Sequence, residues 1–470
     1  MTGHPAAGGG PAGARDLLHG AADIAADYLE NVERYAVLPR VAPGDIRAAL
    51  PSSAPEQGEP METVLADYRR LIEPNVTHWN HPGFMAYFAN SGTPPGIAGE
   101  MLAATLNVNA MLWRSGPAPT ELEETVTDWV RQLMGLPAGF RGHINDTASM
   151  STVLALAAAR HRATGGSALS RGLAGLPPMA VYASEHAHSS VDKAMITLGL
   201  GLEQLRRIAC DAEFRMLPER LGEAIARDRA AGVTPCGIVA SVGTTSSTAV
   251  DPVAAIAGIA RREGVFLHVD AAYAGSAAIC PELRDRLGPI ALGDSVVMNP
   301  HKWLLTPMDC SLLFLRNQDE LKAAFSLLPE YLRTPEGASG ATNLMDFGPQ
   351  LGRRFRSLKL WFVLRHYGAE GLRAVIRRHC ELAREFAQWV TADPRFELCA
   401  PVPFSTVCFR LTGSDEDNER LMHAVNSEGS AFISHTKLKG RMVLRVAIGN
   451  WRTELSHLRK LWSLLSSFAP

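Results

Sequence analysis

Lys302 and Asp270 carry the strongest chemical signal in this sequence. Lys302 stands between Pro300 and the apolar run Trp303-Leu304-Leu305, so its amine is expected in a site poor in water. Desolvation disfavours the ammonium form and lowers the pKa, which makes a lysine amine a nucleophile able to form a Schiff base with a carbonyl. Asp270 closes the apolar run Val265-Phe266-Leu267-His268-Val269. Taken singly, the lysine reads as a solvated surface charge and the aspartate as the start of a turn. Taken together they are 32 residues apart, room for one helical excursion between two strands, and the pairing changes both readings.

Two more apolar runs, Met179 to Tyr182 and Ile238 to Val242, end in polar chemistry, as does Ser295 to Met298 ahead of Lys302. They are followed by Ser184-Glu185-His186-Ala187-His188-Ser189-Ser190, by Gly243-Thr244-Thr245-Ser246-Ser247, and by Asn299-Pro300-His301-Lys302-Trp303. In open α/β sheets ligands bind beyond the carboxyl ends of the strands. Pyridoxal 5′-phosphate needs a lysine for its aldehyde carbon, a carboxylate that keeps the pyridine nitrogen protonated, and phosphate donors at a helix N-terminus. Thr147-Ala148-Ser149, just before the helical stretch Ser151 to Arg162, supplies such donors, although Thr-x-Ser there also suits a plain helix cap. His188 suits either a ring stacked on the cofactor or an ordinary polar loop.

Several elements must position these groups. The four runs are short and almost continuously apolar, as strands buried on both faces are. Their alternation with helical stretches predicts a mostly parallel sheet covered by helices. Thr120-Glu121-Leu122-Glu123 reads as a capping box opening a helix that Gly135 stops. Leu18 to Tyr35 and Met61 to Ile72 read as helices of an arm with little core of its own, suited to packing on a second subunit. Helical pattern resumes near Leu358, and strand-like pieces at Phe404 to Leu411 and Met442 to Ile448 predict a smaller α+β domain. The expected division is a flexible leader (1–15), an N-terminal helical arm (16–92), a large α/β domain (93–357) and a small C-terminal domain (358–470).

Composition narrows the class. The 470 residues carry a formal net charge of -2, which gives no hint of the basic surface a nucleic-acid binder needs. No apolar run reaches the roughly 18 residues of a membrane span. The seven cysteines are odd in number and lack paired spacing, which suits a reducing cytoplasm and suggests neither a disulfide framework nor a zinc motif; no metal is expected.

Thr147-Ala148-Ser149, Ala187-His188-Ser189-Ser190, the run His268 to Ser276 and Asn299-Pro300-His301-Lys302-Trp303 together resemble the group II pyridoxal-phosphate-dependent amino-acid decarboxylases. The resemblance is greatest to the aromatic-L-amino-acid decarboxylases. It extends to Thr77-His78-Trp79, Ala86-Tyr87-Phe88, Thr120 to Glu123 and Leu351 to Lys359, and so spans nearly the whole chain. It implies the fold-type I architecture with a seven-stranded, mostly parallel sheet, and a homodimer with its sites at the interface. It assigns Lys302 as the Schiff-base lysine, Asp270 as the pyridinium partner and His188 as the stacking ring. Thr147, Ala148, Ser149, Thr245, Asn299 and His301 become further cofactor contacts. Tyr331 falls where the family has a loop tyrosine thought to return a proton to Cα, beside the small, polar stretch Thr334 to Gly340. The substrate pocket would draw on Trp79, Tyr87, Phe88 and Asn90, with Asn109 and Met111 supplied by the neighbouring subunit.

The sequence departs from the family at Asp146-Thr147, where Gly-Ser is usual, and at Asn90, Asn109 and Met111, where relatives carry threonine, isoleucine and phenylalanine. These departures bear on the choice of substrate. The implied reaction is decarboxylation of an aromatic L-amino acid (tryptophan, dopa, tyrosine, phenylalanine or histidine). Alternatives are aldehyde synthesis, whose practitioners generally lack the loop tyrosine, decarboxylation of an acidic amino acid, and a non-enzymatic regulatory protein on the same fold.

Overall fold

The structure is a computed structural model that describes residues 11–327, 334–338 and 340–469. A seven-stranded sheet organises the larger part. Its strands are β1 (Arg141–Asn145), β2 (Met179–Ser184), β3 (Leu205–Ile208), β4 (Thr234–Ser241), β5 (Phe266–Asp270), β6 (Ser295–Met298) and β7 (Ser311–Leu315). The order across the sheet is β1-β7-β6-β5-β4-β2-β3. β7 runs antiparallel to both of its neighbours, and the remaining pairs are parallel. The four strands expected from the apolar runs are present; β1, β3 and β7 complete the fold-type I sheet.

Alternate residues of β2 serve opposite cores, with Ala180 and Tyr182 on one face and Met179, Val181 and Ala183 on the other. That two-sided burial explains why the strand is apolar at every position. The helix Ala148–Ala163 covers one face and delivers Leu154 and Leu156 to it. The helix Pro117–Met134 covers the other with Val126 and Val130.

The start of this second helix corrects the capping-box expectation. It begins at Pro117, three residues ahead of Thr120, and the Thr120 hydroxyl donates to the Gly116 carbonyl (2.8 Å). Proline is favoured in the first turn because its missing N–H would be unpaired there anyway. Glu123 is therefore free for other work. Its Oε1 accepts the Ile144 N–H (2.9 Å) and pairs with Arg353 Nη2 (3.0 Å), all of it buried. Gly135 does end the helix, at φ 75°.

A second, four-stranded antiparallel sheet has the order β10-β11-β9-β8, formed by β8 (Phe396–Leu398), β9 (Thr406–Leu411), β10 (Ser434–Leu438) and β11 (Arg441–Ala447). The helix Ser357–Ala392, interrupted at Gly368 (φ 63°), joins the two parts. Leu360 and Val363 enter the large core, whereas Phe386 and Val390 enter the small one. At the N-terminus Pro11–Asn31 is helical, reaching into the stretch 1–15. Met61–Asp67 is helical and continues as a wider turn, Tyr68–Ile72. Leu17, Leu18, Val64 and Tyr68 of this arm are exposed.

Candidate active site

The strand ends meet in one cavity of about 300 Å³. β5 delivers Asp270, flanked in register by Ser241 of β4 and Val297 of β6. The Ala272 N–H donates to Asp270 Oδ1 (3.1 Å), which fixes the carboxylate at the strand end. β6 leads through Asn299 into a single helical turn, Pro300–Trp303, and that turn presents Lys302. The lysine is half-buried, with its Nζ 5.3 Å from the centre of the Phe88 ring. Burial holds its pKa below the ordinary lysine value, helped by the nearby Arg445 and opposed by Asp270. A depressed pKa increases the neutral, nucleophilic fraction of the amine.

His188 lines the same cavity. The Ser190 N–H donates to its Nδ1 (3.1 Å), which leaves the ring proton of the neutral form on Nε2. Burial lowers its pKa, with Asp270 acting in the opposite direction. His301 is anchored in the same way, its Nδ1 accepting the Cys310 N–H (2.9 Å). Desolvation pushes its pKa down to about 3, so it stays neutral.

Thr147 precedes the helix Ala148–Ala163, and Thr147, Ala148 and Ser149 all line the cavity. Among the described residues the Thr147 side chain makes no capping hydrogen bond, so the first-turn N–H groups face the cavity uncapped. That is the usual form of a phosphate site. Thr245 lies on the opposite wall, after Gly243. Gly243 has φ 90°, and a Cβ there would lie 2.7 Å from Ala274 Cβ, so the turn requires glycine.

Trp79, Tyr87, Phe88 and Asn90 complete one side of the cavity. Trp79 stacks on Phe84, and Phe88 lies flat on Tyr273 at 3.8 Å. Tyr273 in turn stacks on Trp303, whose indole N–H donates to His379 Nδ1 (2.9 Å). This ladder of rings carries the neighbour of Lys302 into the core and restrains the turn that bears it. Asn90 Nδ2 reaches Met308 Sδ at 3.4 Å.

Asn109 and Met111, expected to serve the pocket of the neighbouring subunit, lie apart from this chain's own cavity. Asn109 Oδ1 accepts the Arg353 N–H (2.9 Å), and Met111 packs against Leu112 and Met345. Tyr331 lies outside the described residues. Conversely, Arg445, Tyr273, Thr244, Ser241 and Met308 line the cavity and were not expected there. Arg445 is the most consequential. It projects from β11 of the small sheet and is buried, and its guanidinium lies 4.7 Å from the Phe88 centre. Its Nη1 donates to the Ala86 carbonyl (2.7 Å), while Nε and Nη2 have no hydrogen-bond partner among the described residues. An arginine inside the apolar strand Val443-Leu444-Arg445-Val446-Ala447 was the available signal.

The donor set fits pyridoxal 5′-phosphate. Lys302 would hold the aldehyde carbon, Asp270 the ring nitrogen, and the Ala148–Ser149 helix end the phosphate. The Asn299 side-chain oxygen is buried without a partner among the described residues, as a missing polar ligand group would leave it. Fold and site thus fit a pyridoxal-phosphate enzyme.

Comparison with known proteins agrees. The model of the pyridoxal-dependent decarboxylase conserved domain matches residues 43–412. Phenylacetaldehyde synthase of Arabidopsis thaliana is 44% identical over 97% of this chain and 95% of its own length. Aromatic-L-amino-acid decarboxylase of Sus scrofa is 42% identical over 95% of this chain and 94% of its own. The crystal structure of Oryza sativa TDC with PLP and tryptamine superposes with a TM-score of 0.95 at 38% identity, covering 100% of this chain and 99% of that one. The chain belongs to the pyridoxal-dependent decarboxylase family and is a carboxy-lyase that uses pyridoxal 5′-phosphate.

Proposed function

We propose that this enzyme removes the α-carboxyl group of an aromatic L-amino acid, leaving the amine and carbon dioxide. The observation that carries the reading is a cavity walled by Trp79, Tyr87 and Phe88 in which a buried guanidinium, Arg445, keeps two donors unpaired beside Lys302. Aromatic walls suit an aromatic side chain, and an unpaired buried guanidinium suits a carboxylate. When bound, the cofactor supplies an electron sink for the pair left on Cα as carbon dioxide departs.

The chain's own groups do the rest. Lys302 would hold the cofactor through its amine. Asp270 would hold the ring nitrogen in its protonated form. Arg445 orients the carboxylate, and His188, whose neutral ring carries its proton on Nε2, lines the same cavity. One proton must replace carbon dioxide at Cα; Tyr331, with His188 as the second candidate, delivers it. The same reading includes a homodimer in which Asn109 and Met111 wall the partner's pocket, the arm (16–92) packing on the partner, the large (93–357) and small (358–470) domains, and residence in the cytoplasm. No helix among the described residues is long and apolar enough to cross a membrane.

Aldehyde synthesis is the second reading, favoured by the likeness to phenylacetaldehyde synthase. Tyr331 argues for simple decarboxylation. The test is incubation of the cofactor-loaded enzyme with tryptophan, dopa, tyrosine, phenylalanine, histidine, glutamate and cysteine sulfinate, with mass detection of products. Stoichiometric amine and carbon dioxide from an aromatic substrate is the expected result. Aldehyde with ammonia and peroxide would replace the first reading by the second, and turnover of only the acidic substrates would overturn both.

A further inference from the structure

We propose that Glu185, His186 and Cys210 form a binding site for one zinc ion, separate from the catalytic cavity. Their placement follows from the sheet. β2 and β3 are parallel neighbours with Ser184 opposite Ile208. The chain leaving β2 carries Glu185 and His186, and the chain leaving β3 reaches Cys210 two residues later. Glu185 and His186 are adjacent and Cys210 is distant in sequence, with no metal-binding spacing, yet one ligand atom from each lies within 4.8 Å of the others.

The framework already orients them. The Glu185 N–H donates to the Ile208 carbonyl (3.1 Å), extending the strand pairing, and the Cys210 N–H donates to Glu185 Oε1 (3.2 Å). The His186 ring stands edge-on to Phe214, centres 5.3 Å apart, and neither of its nitrogens has a hydrogen-bond partner among the described residues. Burial first, and then the Asp251 and Glu185 carboxylates, push the Cys210 thiol up to about 12, so its thiolate forms only with a cation at hand, and the two carboxylates favour one there.

Tetrahedral zinc with bonds of about 2.0–2.3 Å holds its ligands about 3.3–3.8 Å apart. Closing the cluster by about 1 Å through side-chain rotation reaches that spacing. Thiolate, imidazole and carboxylate together suit zinc, whereas magnesium and calcium take oxygen ligands. Glu185 is exposed, which leaves the fourth position to water. Such an ion would tie the end of β2 to the edge strand β3 and steady the loop that presents His188 two residues on.

The test uses cofactor-loaded enzyme stripped by a chelator, incubated with Zn²⁺ and gel-filtered. Atomic emission is expected to find about one zinc per chain and no magnesium after parallel incubation with Mg²⁺. Cys210→Ser and His186→Ala should each weaken zinc binding by roughly tenfold or more, given that even groups behind the ligands are worth about that. Cys399→Ser, a partly buried cysteine elsewhere, should not change it. Zinc should also slow iodoacetamide labelling of Cys210 but not of Cys399, read by peptide mass spectrometry. Cofactor absorbance and circular dichroism establish that each variant is folded. Absence of retained zinc, or equal retention by Cys210→Ser and His186→Ala, overturns the site.

Discussion

Arg445 is a buried cation in this cavity, beside the half-buried amine of Lys302, and among the described lining residues Asp270 is the only carboxylate. Such an imbalance is costly until an anion arrives, and the substrate carboxylate is that anion in the proposed reaction. Charged hydrogen bonds are worth about 1.5–3 kcal/mol, so Arg445→Met should raise KM for the amino acid roughly 10–100-fold, with a smaller change in kcat. An unchanged KM would remove Arg445 from substrate binding. Lys302→Ala should abolish both turnover and the visible absorbance of lysine-bound cofactor; retained turnover would refute its role. At this scale the sequence was legible where chemistry interrupts an apolar run at a strand end, as at Asp270, His188 and Lys302. Arg445 was hidden because it sits inside a strand of the other sheet, where nothing local separates a cavity arginine from one that leans out to solvent.

Elements were legible in proportion to how uniformly they are buried. β2, β4, β5 and β6 are largely apolar and stood out. β1 (Arg-Gly-His-Ile-Asn) and the edge strand β3 (Leu-Arg-Arg-Ile) carry too many polar residues, and β7 follows an apolar stretch that blurs its start. The conspicuous run Leu351 to Lys359 proves to be a set of ion pairs that clamp the helices behind the sheet. Arg353 meets Glu123, Arg356 meets Asp309 (2.8 Å), and the fully buried Lys359 meets Glu100 (2.7 Å). The pattern Thr-Glu-Leu-Glu could not distinguish a cap from this clamp, because Glu123 serves its partners from across the core. Removing one member of a buried pair leaves the other charge uncompensated, which typically costs about 3–5 kcal/mol. Glu123→Ala should therefore lower the urea-unfolding free energy by about that much. Glu123→Leu combined with Arg353→Met should recover most of the loss. Equal destabilisation by the single and double changes would show that packing, not the unpaired charge, dominates.

Over the whole molecule, burial of histidines sets how the fold answers to acid. Desolvation depresses His81 and His268 to about 4 and His301 and His379 to about 3. Each has a folded pKa below its unfolded value of about 6.5. The unfolded chain therefore binds more protons throughout the interval between, and stability falls as pH drops below 6.5 until each folded pKa is reached. One pH unit withdraws about 1.4 kcal/mol per histidine. Asp251 works the other way: burial raises its carboxyl to about 6, so it contributes stability at low pH that is lost as pH rises through 6. Desolvation also holds the buried His143 well below its ordinary value, so against five histidines Asp251 offsets about one, leaving a net loss of roughly 5 kcal/mol per unit between pH 6 and 5. Native proteins hold only about 5–15 kcal/mol in reserve, so scanning calorimetry should show Tm falling steeply from pH 6.5 to 5. The slope should correspond to a net uptake of about four protons per chain on unfolding. His268 shares its Nδ1 with Ser295 Oγ (2.8 Å) and lies directly behind Asp270 on β5. His268→Gln should reduce that uptake by about one proton. A Tm that stays level over this interval would mean that the buried rings already accept protons in the folded state.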